Sequence, residues 1–411
     1  MTYVPGGVCA AKGFSAGGIH CGIRKNRSKL DLALIAAEDS CNAAAVYTQN
    51  IVKAAPLLVT RAHIQGGKAR AIIANAGNAN ACAPEGEANA LRMCRAAAVA
   101  LGVAEADVLV ASTGVIGQRL PVEAIECGAA NLAAALTQSE VGSAAAAAAI
   151  MTTDLKKKEC ALELHIGGVP VRIGGIAKGS GMIHPNMGTM LCFLTTDCAI
   201  SAPMLENALQ AAVRKSFNRI SVDGDTSTND MAIVLASGRA GNAEITSQNT
   251  DYAAFCEALR TLCVQLARAM AADGEGAKHL ITCHVRNAAD EEKAETIAKS
   301  VISSSLLKAA IFGEDANWGR VLCAMGYAGA VFNPEKTDVS FHSAAGEIAV
   351  CRQGRGLDFD EGLAKEILHE HEVEIRIDLH EQAAPGAQGC CECWGCDLTY
   401  DYVKINGDYR T

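Results

Sequence analysis

A chain of 411 residues, half of them hydrophobic and 20% charged, has material for a large buried core and room for two or three ordinary domains or two intimately packed lobes. Its net charge of -9, without a basic stripe interleaved with aromatics, excludes nucleic acid as the main partner, and its apolar runs break well short of membrane-spanning length. No charged start leads into an apolar signal segment, so the 18 cysteines are expected to be reduced core residues of a soluble, cytoplasmic protein rather than a disulfide scaffold.

The first half reads as alternating strands and helices. Leu30, Leu32 and Leu34 alternate with Asp31 and Ala33 as in a strand, and Ala71-Ile-Ile-Ala74 forms another. The small polar stretch from Asn75 to Cys82 reads as a loop whose side chains serve local turns. Glu87 to Leu101 has the spacing of an amphipathic helix, stopped by Gly102. Val108 to Ala111 is a buried strand leading into a small-residue turn, Ser112 to Gly117; such a junction can aim backbone amides and a hydroxyl at one point. Val122 to Ile150 is alanine-rich and helical, with Gly142 expected to separate two helices. Thr152 and Thr153, in Met151 to Asp154, read as cap or turn residues. Cys160–Ile166 and Val169–Ile173 alternate about Gly167-Gly168, a hairpin signal, and the hairpin delivers Lys178 into a glycine-rich segment. That segment lacks the Gly-Lys-Ser/Thr order of a phosphate loop, so no nucleotide site is expected there.

Further on, Ser201 opens a helix running to Val213. Ser221 to Asp230 is the densest polar cluster; its aspartates Asp223, Asp225 and Asp230 miss the calcium-loop positions and are expected to serve structure. A long helix from Tyr252 to Ala272 ends near Gly274-Glu275-Gly276, where Glu275 reads either as an exposed loop carboxylate or as a group that flanking glycines turn towards a ligand. Glu314 and Asp315 stand before a helix start, where acids are ordinary, or act as catalytic acids. Val373, Ile375, Ile377 and Leu379 form the clearest amphipathic strand. Cys390, Cys391, Cys393 and Cys396 are too close together for good tetrahedral zinc geometry, so no metal is expected.

Between hairpin and helix stands Thr189. Gly179, Gly181, Pro185 and Gly188 break regular structure before it, and Met190, Leu191, Phe193 and Leu194 form an apolar run of strand length after it. Read locally, Thr189 either begins a strand or is a nucleophile. With no histidine-aspartate signature around it, its base would be its own amine, which requires the chain to be cut at Gly188-Thr189. The hydroxyl would attack the unobstructed Gly188 carbonyl, and the ester formed by nitrogen-to-oxygen acyl shift would hydrolyse.

Several separated segments resemble the ornithine acetyltransferase family of arginine biosynthesis. They are Lys178-Gly-Ser-Gly-Met-Ile183, Pro185-Asn-Met187 and Thr189-Met-Leu191, together with Asn75-Ala-Gly-Asn-Ala-Asn80, Asp223-Gly-Asp-Thr-Ser-Thr-Asn-Asp230, Gly274-Glu-Gly-Ala277, the stretch Lys308 to Arg320 and the terminus Trp394 to Thr411. The resemblance runs from Ala11-Lys-Gly-Phe14 to the last residue. It departs at His184 and Gly188, where the family usually has alanine, and at Lys278-His279, where it usually has threonine and lysine.

The resemblance implies an α/β fold of layered sheets and helices, self-cleaved into an α chain, 1–188, and a β chain, 189–411, with two copies of each. It implies transfer of acetyl from N-acetylornithine to glutamate through Thr189, with Thr113 and Gly114 at the oxyanion and Thr152, Thr153, Lys178, Glu275, Asn406 and Thr411 at substrate. No resident cofactor is implied, and acetyl-coenzyme A is a possible second donor. A related N-terminal-nucleophile hydrolase that passes the acyl group to water, or an unprocessed amino-acid-binding relative, remain the alternatives.

Overall fold

The computed structural model describes residues 1–411 except 185–189, 384, 385, 387 and 408–411. By packing, the chain forms two compact units: one of residues 1–179, 185–218 and 226–266, the other of 180–184, 219–225 and 267–411.

The first unit is built on a mixed nine-stranded sheet. Its strands lie in the order Thr2–Tyr3, Lys158–Ile166, Val169–Lys178, Leu191–Thr196, Met231–Ala236, Leu32–Tyr47, Lys68–Asn78 and Val108–Val115, with Phe14–Ile19 also paired to Leu32–Tyr47. Near-continuous apolar runs suit a sheet buried on both faces. Accordingly Ile35, Ile72 and Leu109 point into one core with the helix Glu140–Ile150, while Leu34, Ile73 and Val110 point into another with Gly86–Leu101 and Val122–Ala134. Gly102 caps Gly86–Leu101 in the left-handed region, φ 68°, as its position predicts.

Three expectations change. The segment Asn75–Asn78 is strand, not loop, because its backbone pairs in parallel with Ser112–Val115. For the same reason Thr113 and Gly114 lie within the strand Val108–Val115 rather than in a tight turn. Gly142 does not separate the two helices; it lies inside the second, where a Cβ would stand 2.3 Å from the Ala16 carbonyl oxygen. The helix needs glycine there to press against the neighbouring strand.

The second unit carries a seven-stranded sheet in the order Arg355–Gly356, Gly346–Arg352, Asp338–Ser343, Glu372–Asp378, Leu280–Arg286, Cys391–Cys396 and Ile220–Ser221. Here alternation rules. Val373, Ile375 and Ile377 enter the core beneath the helices Glu291–Ser303, Trp318–Gly326 and Glu361–His369, while Glu372 and Glu374 turn outward. Cys283, Cys391 and Cys393 belong to that core, and burial pushes the Cys283 and Cys393 thiols well up.

Candidate active site

In the first unit the parallel strand ends bring Asn75 opposite Ser112, Ala76 opposite Thr113 and Gly77 opposite Gly114. Gly114 has φ +132°, and a Cβ there would fall 2.3 Å from the Gly77 carbonyl carbon and 2.6 Å from the Asn78 nitrogen. Only glycine allows the two backbones so close. Thr113 beside it is buried, with 9% of its surface exposed.

A second cluster forms around Asp154. Its Oδ1 accepts from the Lys158 ammonium and from the Gly179 backbone N–H, each at 2.7 Å, and its Oδ2 accepts from the Thr152 N–H at 3.0 Å. One carboxylate thus gathers the Thr152–Thr153 bend and the end of the strand that carries Lys178. Burial favours the neutral acid, but the charges of Lys178 and Lys158, with these hydrogen bonds, outweigh it and hold the carboxyl well below its usual range. Lys178 is the buried last residue of Val169–Lys178, not a loop residue.

Lys178 pairs with Leu191 and Leu191 with Met231, so these strand ends form one row across the sheet. Just beyond that row Asp230 is fully buried. Burial pushes its carboxyl well above the ordinary value, against the Ser227 hydroxyl, the Lys178 charge and the Met190 N–H, each of which favours the anion. Its Oδ2 has no hydrogen-bond partner among the described residues.

In the second unit Glu275 is 7% exposed, which corrects the reading of an exposed loop carboxylate. The Asn406 carboxamide, on the helix Tyr400–Gly407, donates to its Oε2 at 2.6 Å. The flanking glycines serve close packing. A Cβ on Gly276 would meet the Tyr402 nitrogen at 2.7 Å, one on Gly274 the Cys396 sulfur at 2.6 Å, and one on Gly181 the Glu275 carboxyl at 2.3 Å. At the departure Lys278-His279, both backbone N–H groups and the His279 Nδ1 meet the Asp397 carboxylate at 2.8 to 3.1 Å, and the Lys278 ammonium lies 5.2 Å from the centre of the Phe312 ring. Nearby, Asp223 accepts the N–H groups of Met182 at 2.6 Å and Ile183 at 2.9 Å, and His184 Nδ1 lies 3.0 Å from the Ser221 hydroxyl.

Sequence-selected residues thus fall into two sets: Thr113, Gly114, Thr152, Thr153 and Lys178 in the first unit, and Glu275 with Asn406 in the second. Gly188, Thr189 and Thr411 lie outside the described residues. The Glu314 carboxylate lies 2.7 Å from His369 Nδ1, and Asp315 accepts from Asn317. Among the described residues no group of three or more His, Cys, Asp or Glu side chains is arranged to hold a metal ion. Asp154 was missed, although an aspartate four residues before Lys158 and beside two threonines was a visible signal.

The chain matches the ArgJ family over residues 15–411 and belongs to that family. It is 51% identical over 415 residues to the arginine biosynthesis bifunctional protein ArgJ of Symbiobacterium thermophilum, covering 100% of both chains. To the protein of the same name from Caldanaerobacter subterraneus it is 47% identical over 412 residues, again covering 100% of both. A crystal structure of the arginine biosynthesis bifunctional protein ArgJ from Bacillus halodurans aligns with 44% identity and a TM-score of 0.49, over 52% of this chain and 97% of that one.

Proposed function

We propose that this protein transfers the acetyl group of N2-acetyl-L-ornithine to L-glutamate, giving L-ornithine and N-acetyl-L-glutamate, by way of an acetyl ester on Thr189. The observation that carries the reading is similarity along the whole chain to relatives named as bifunctional proteins of arginine biosynthesis. Their bifunctional name also supports acetyl-coenzyme A as a second acetyl donor.

In this reading the Thr189 hydroxyl attacks the Gly188 carbonyl, the C–N bond breaks to free the Thr189 amine as the ester forms, and water then hydrolyses the ester to the Gly188 carboxylate and the Thr189 hydroxyl. That amine takes the proton of its own hydroxyl, which attacks the acetyl carbonyl of N-acetylornithine. Thr113 and Gly114 donate to the oxyanion; the close Gly77–Gly114 approach supports a fixed geometry for that pair. Ornithine leaves with the proton, and the glutamate amine attacks the ester to restore the hydroxyl. Lys178 and one of Thr152 and Thr153 bind substrate carboxylate and acyl groups, which the hydrogen bonds from the Thr152 N–H and from the Gly179 N–H next to Lys178 to the one Asp154 carboxylate support. Glu275, Asn406 and Thr411 bind the amino-acid ammonium end; the Glu275–Asn406 hydrogen bond supports treating the first two as a unit. The reaction as written needs no resident cofactor. The 1–188 and 189–411 chains remain together, two copies of each, in the cytoplasm.

Incubating purified protein with N-acetylornithine but no glutamate, then quenching in acid, should add one acetyl group to a fragment that begins at Thr189. Glutamate should discharge it as N-acetylglutamate and not as acetate, which separates a transferase from a hydrolase. Thr189→Ala should stay a single uncut chain. An uncut wild-type chain, or converging initial-rate plots with no acetylated fragment, would refute the Thr189 route.

A further inference from the structure

Asn229 belongs to the polar loop that the reaction as written does not use, yet it is 95% withdrawn from water, with 5% of its surface exposed. Its Nδ2 donates to two carbonyl oxygens at once, Ala79 at 2.6 Å and Ser112 at 2.8 Å. The Thr228 hydroxyl donates to its Oδ1 at 2.5 Å, which fixes the orientation of the carboxamide and leaves the two N–H bonds for those carbonyls. Ala79 directly follows the strand Lys68–Asn78, and Ser112 directly precedes Thr113.

The consequence follows from the stiffness of the peptide group. Carbonyl and N–H of one peptide lie in one plane, so holding the Ser112 oxygen also aims the Thr113 N–H and sets where the Thr113 side chain and the next peptide, the Gly114 N–H, begin. The backbone that follows Asn229 is tied to the opposite side. Two residues on, the Met231 N–H donates to the Met190 carbonyl at 2.9 Å, and the Asp230 carbonyl accepts from Thr48 at 2.9 Å. Met190 is bonded to Thr189. The Asn229 side chain holds the ends of the paired strands Lys68–Asn78 and Val108–Val115, and the backbone two residues on holds Met190, all within one compact unit.

We propose that Asn229 is a positioning residue for the acetyl transfer: by clamping the Ser112 and Ala79 carbonyls it fixes the direction in which the Thr113–Gly114 donors face the oxyanion. This rests on the assignment of Thr113 and Gly114 to the oxyanion. Asn229 touches no reacting atom and acts through the peptide it holds. A displaced oxyanion donor weakens binding of the transition state but not of the ground-state substrate.

The test compares Asn229→Ala, Asn229→Asp, Thr113→Ala and the double variant Asn229→Ala with Thr113→Ala, with all rates referred to cleaved protein. Asn229→Asp keeps the shape but replaces the donor by oxygen. Each Asn229 variant should lose about 100-fold in kcat, the effect of a lost oxyanion donor. KM for N-acetylornithine should stay within about twofold. The double variant should be scarcely slower than the worse single one, because both remove the same stabilisation, whereas a purely structural defect would multiply with Thr113→Ala. Full kcat in Asn229→Asp or Asn229→Ala while Thr113→Ala is slow overturns the proposal alone; full kcat in Thr113→Ala overturns the reading beneath it. Asn229 variants that fail to fold, or that are not cut while Thr113→Ala is, would show that the clamp serves folding or maturation, and the proposal falls.

Discussion

Asp154 and Asp230 lie in one compact unit, both are withdrawn from water, and both feel Lys178, yet their acidities move in opposite directions. For each, burial is the largest influence and favours the neutral acid. Asp154 overcomes it because Lys178 and Lys158 add their charges and the Lys158 ammonium and the Thr152 N–H bond directly to its oxygens. Asp230 has weaker compensation from the Ser227 hydroxyl, Lys178 and the Met190 N–H, and one oxygen without a partner among the described residues. Depth of burial does not decide the direction; two neighbouring cations outweigh it at Asp154, and a single one does not at Asp230. The first carboxyl is held towards its anion and organises a cationic strand end, while burial pushes the second, next to the Met190 N–H, towards its protonated form.

The comparison breaks most readily at Asp154. Asp154→Asn should cost about 3–5 kcal/mol by chemical denaturation, since it removes the buried carboxylate that the Lys158 ammonium bonds and that the Lys178 charge faces. A cost indistinguishable from zero would mean that the lysines do not depend on it. Lys158→Met should cost less, about 1.5–3 kcal/mol, the range for a hydrogen bond to a charged group, because Lys178 still faces the carboxylate. Both effects carry a pH signature. Because the folded pKa of Asp154 is depressed, its contribution is present above the unfolded value of ~3.9 and is lost as pH falls from there through the folded value. Asp230→Asn should have the smallest effect and the opposite sign, about 1 kcal/mol or less in favour of the folded state. Its raised folded value means that the parent is most stable below the unfolded value and loses stability as pH rises through the window up to the folded value. The advantage of Asp230→Asn should therefore grow with pH across that window in melting curves; a constant difference would show that Asp230 is not held neutral.

Much of this was legible in local sequence. Gly167-Gly168 marked the hairpin and Gly102 the helix end because each needs a backbone conformation that few other residues adopt, φ 55° and 82° in the hairpin and 68° at the cap. The Val373 to Leu379 alternation gave its strand because one face of that sheet is core and the other is polar. What failed depended on partners distant in sequence. Gly142 looks like a helix breaker until the Ala16 carbonyl is seen against it, and Ser112 to Gly114 looks like a turn until Asn75 to Gly77 is found alongside. Glu275 looks exposed because nothing nearby in sequence announces Asn406, which is 131 positions away. The Thr189 segment, Thr113 with Gly114, and Lys178 were selected through resemblance, not through any pattern of spacing. Asn229 escaped because a buried asparagine holding two distant carbonyls leaves no local trace.

The order of strands in the first unit has a consequence for molecularity. Leu191–Thr196 and Met231–Ala236 lie side by side in the middle of the nine-stranded sheet, flanked by Val169–Lys178 on one edge and Leu32–Tyr47 on the other. A cut at Gly188-Thr189 would leave both inner strands on one product and both flanking strands on the other. The precursor folds that sheet as a unimolecular event, at a midpoint independent of concentration. The cut protein, once unfolded, must find its other piece to fold again, so its apparent stability becomes a function of concentration. Hydrolysis of one bond would thus turn a reversible fold into an assembly that persists chiefly because it was completed before the bond was broken.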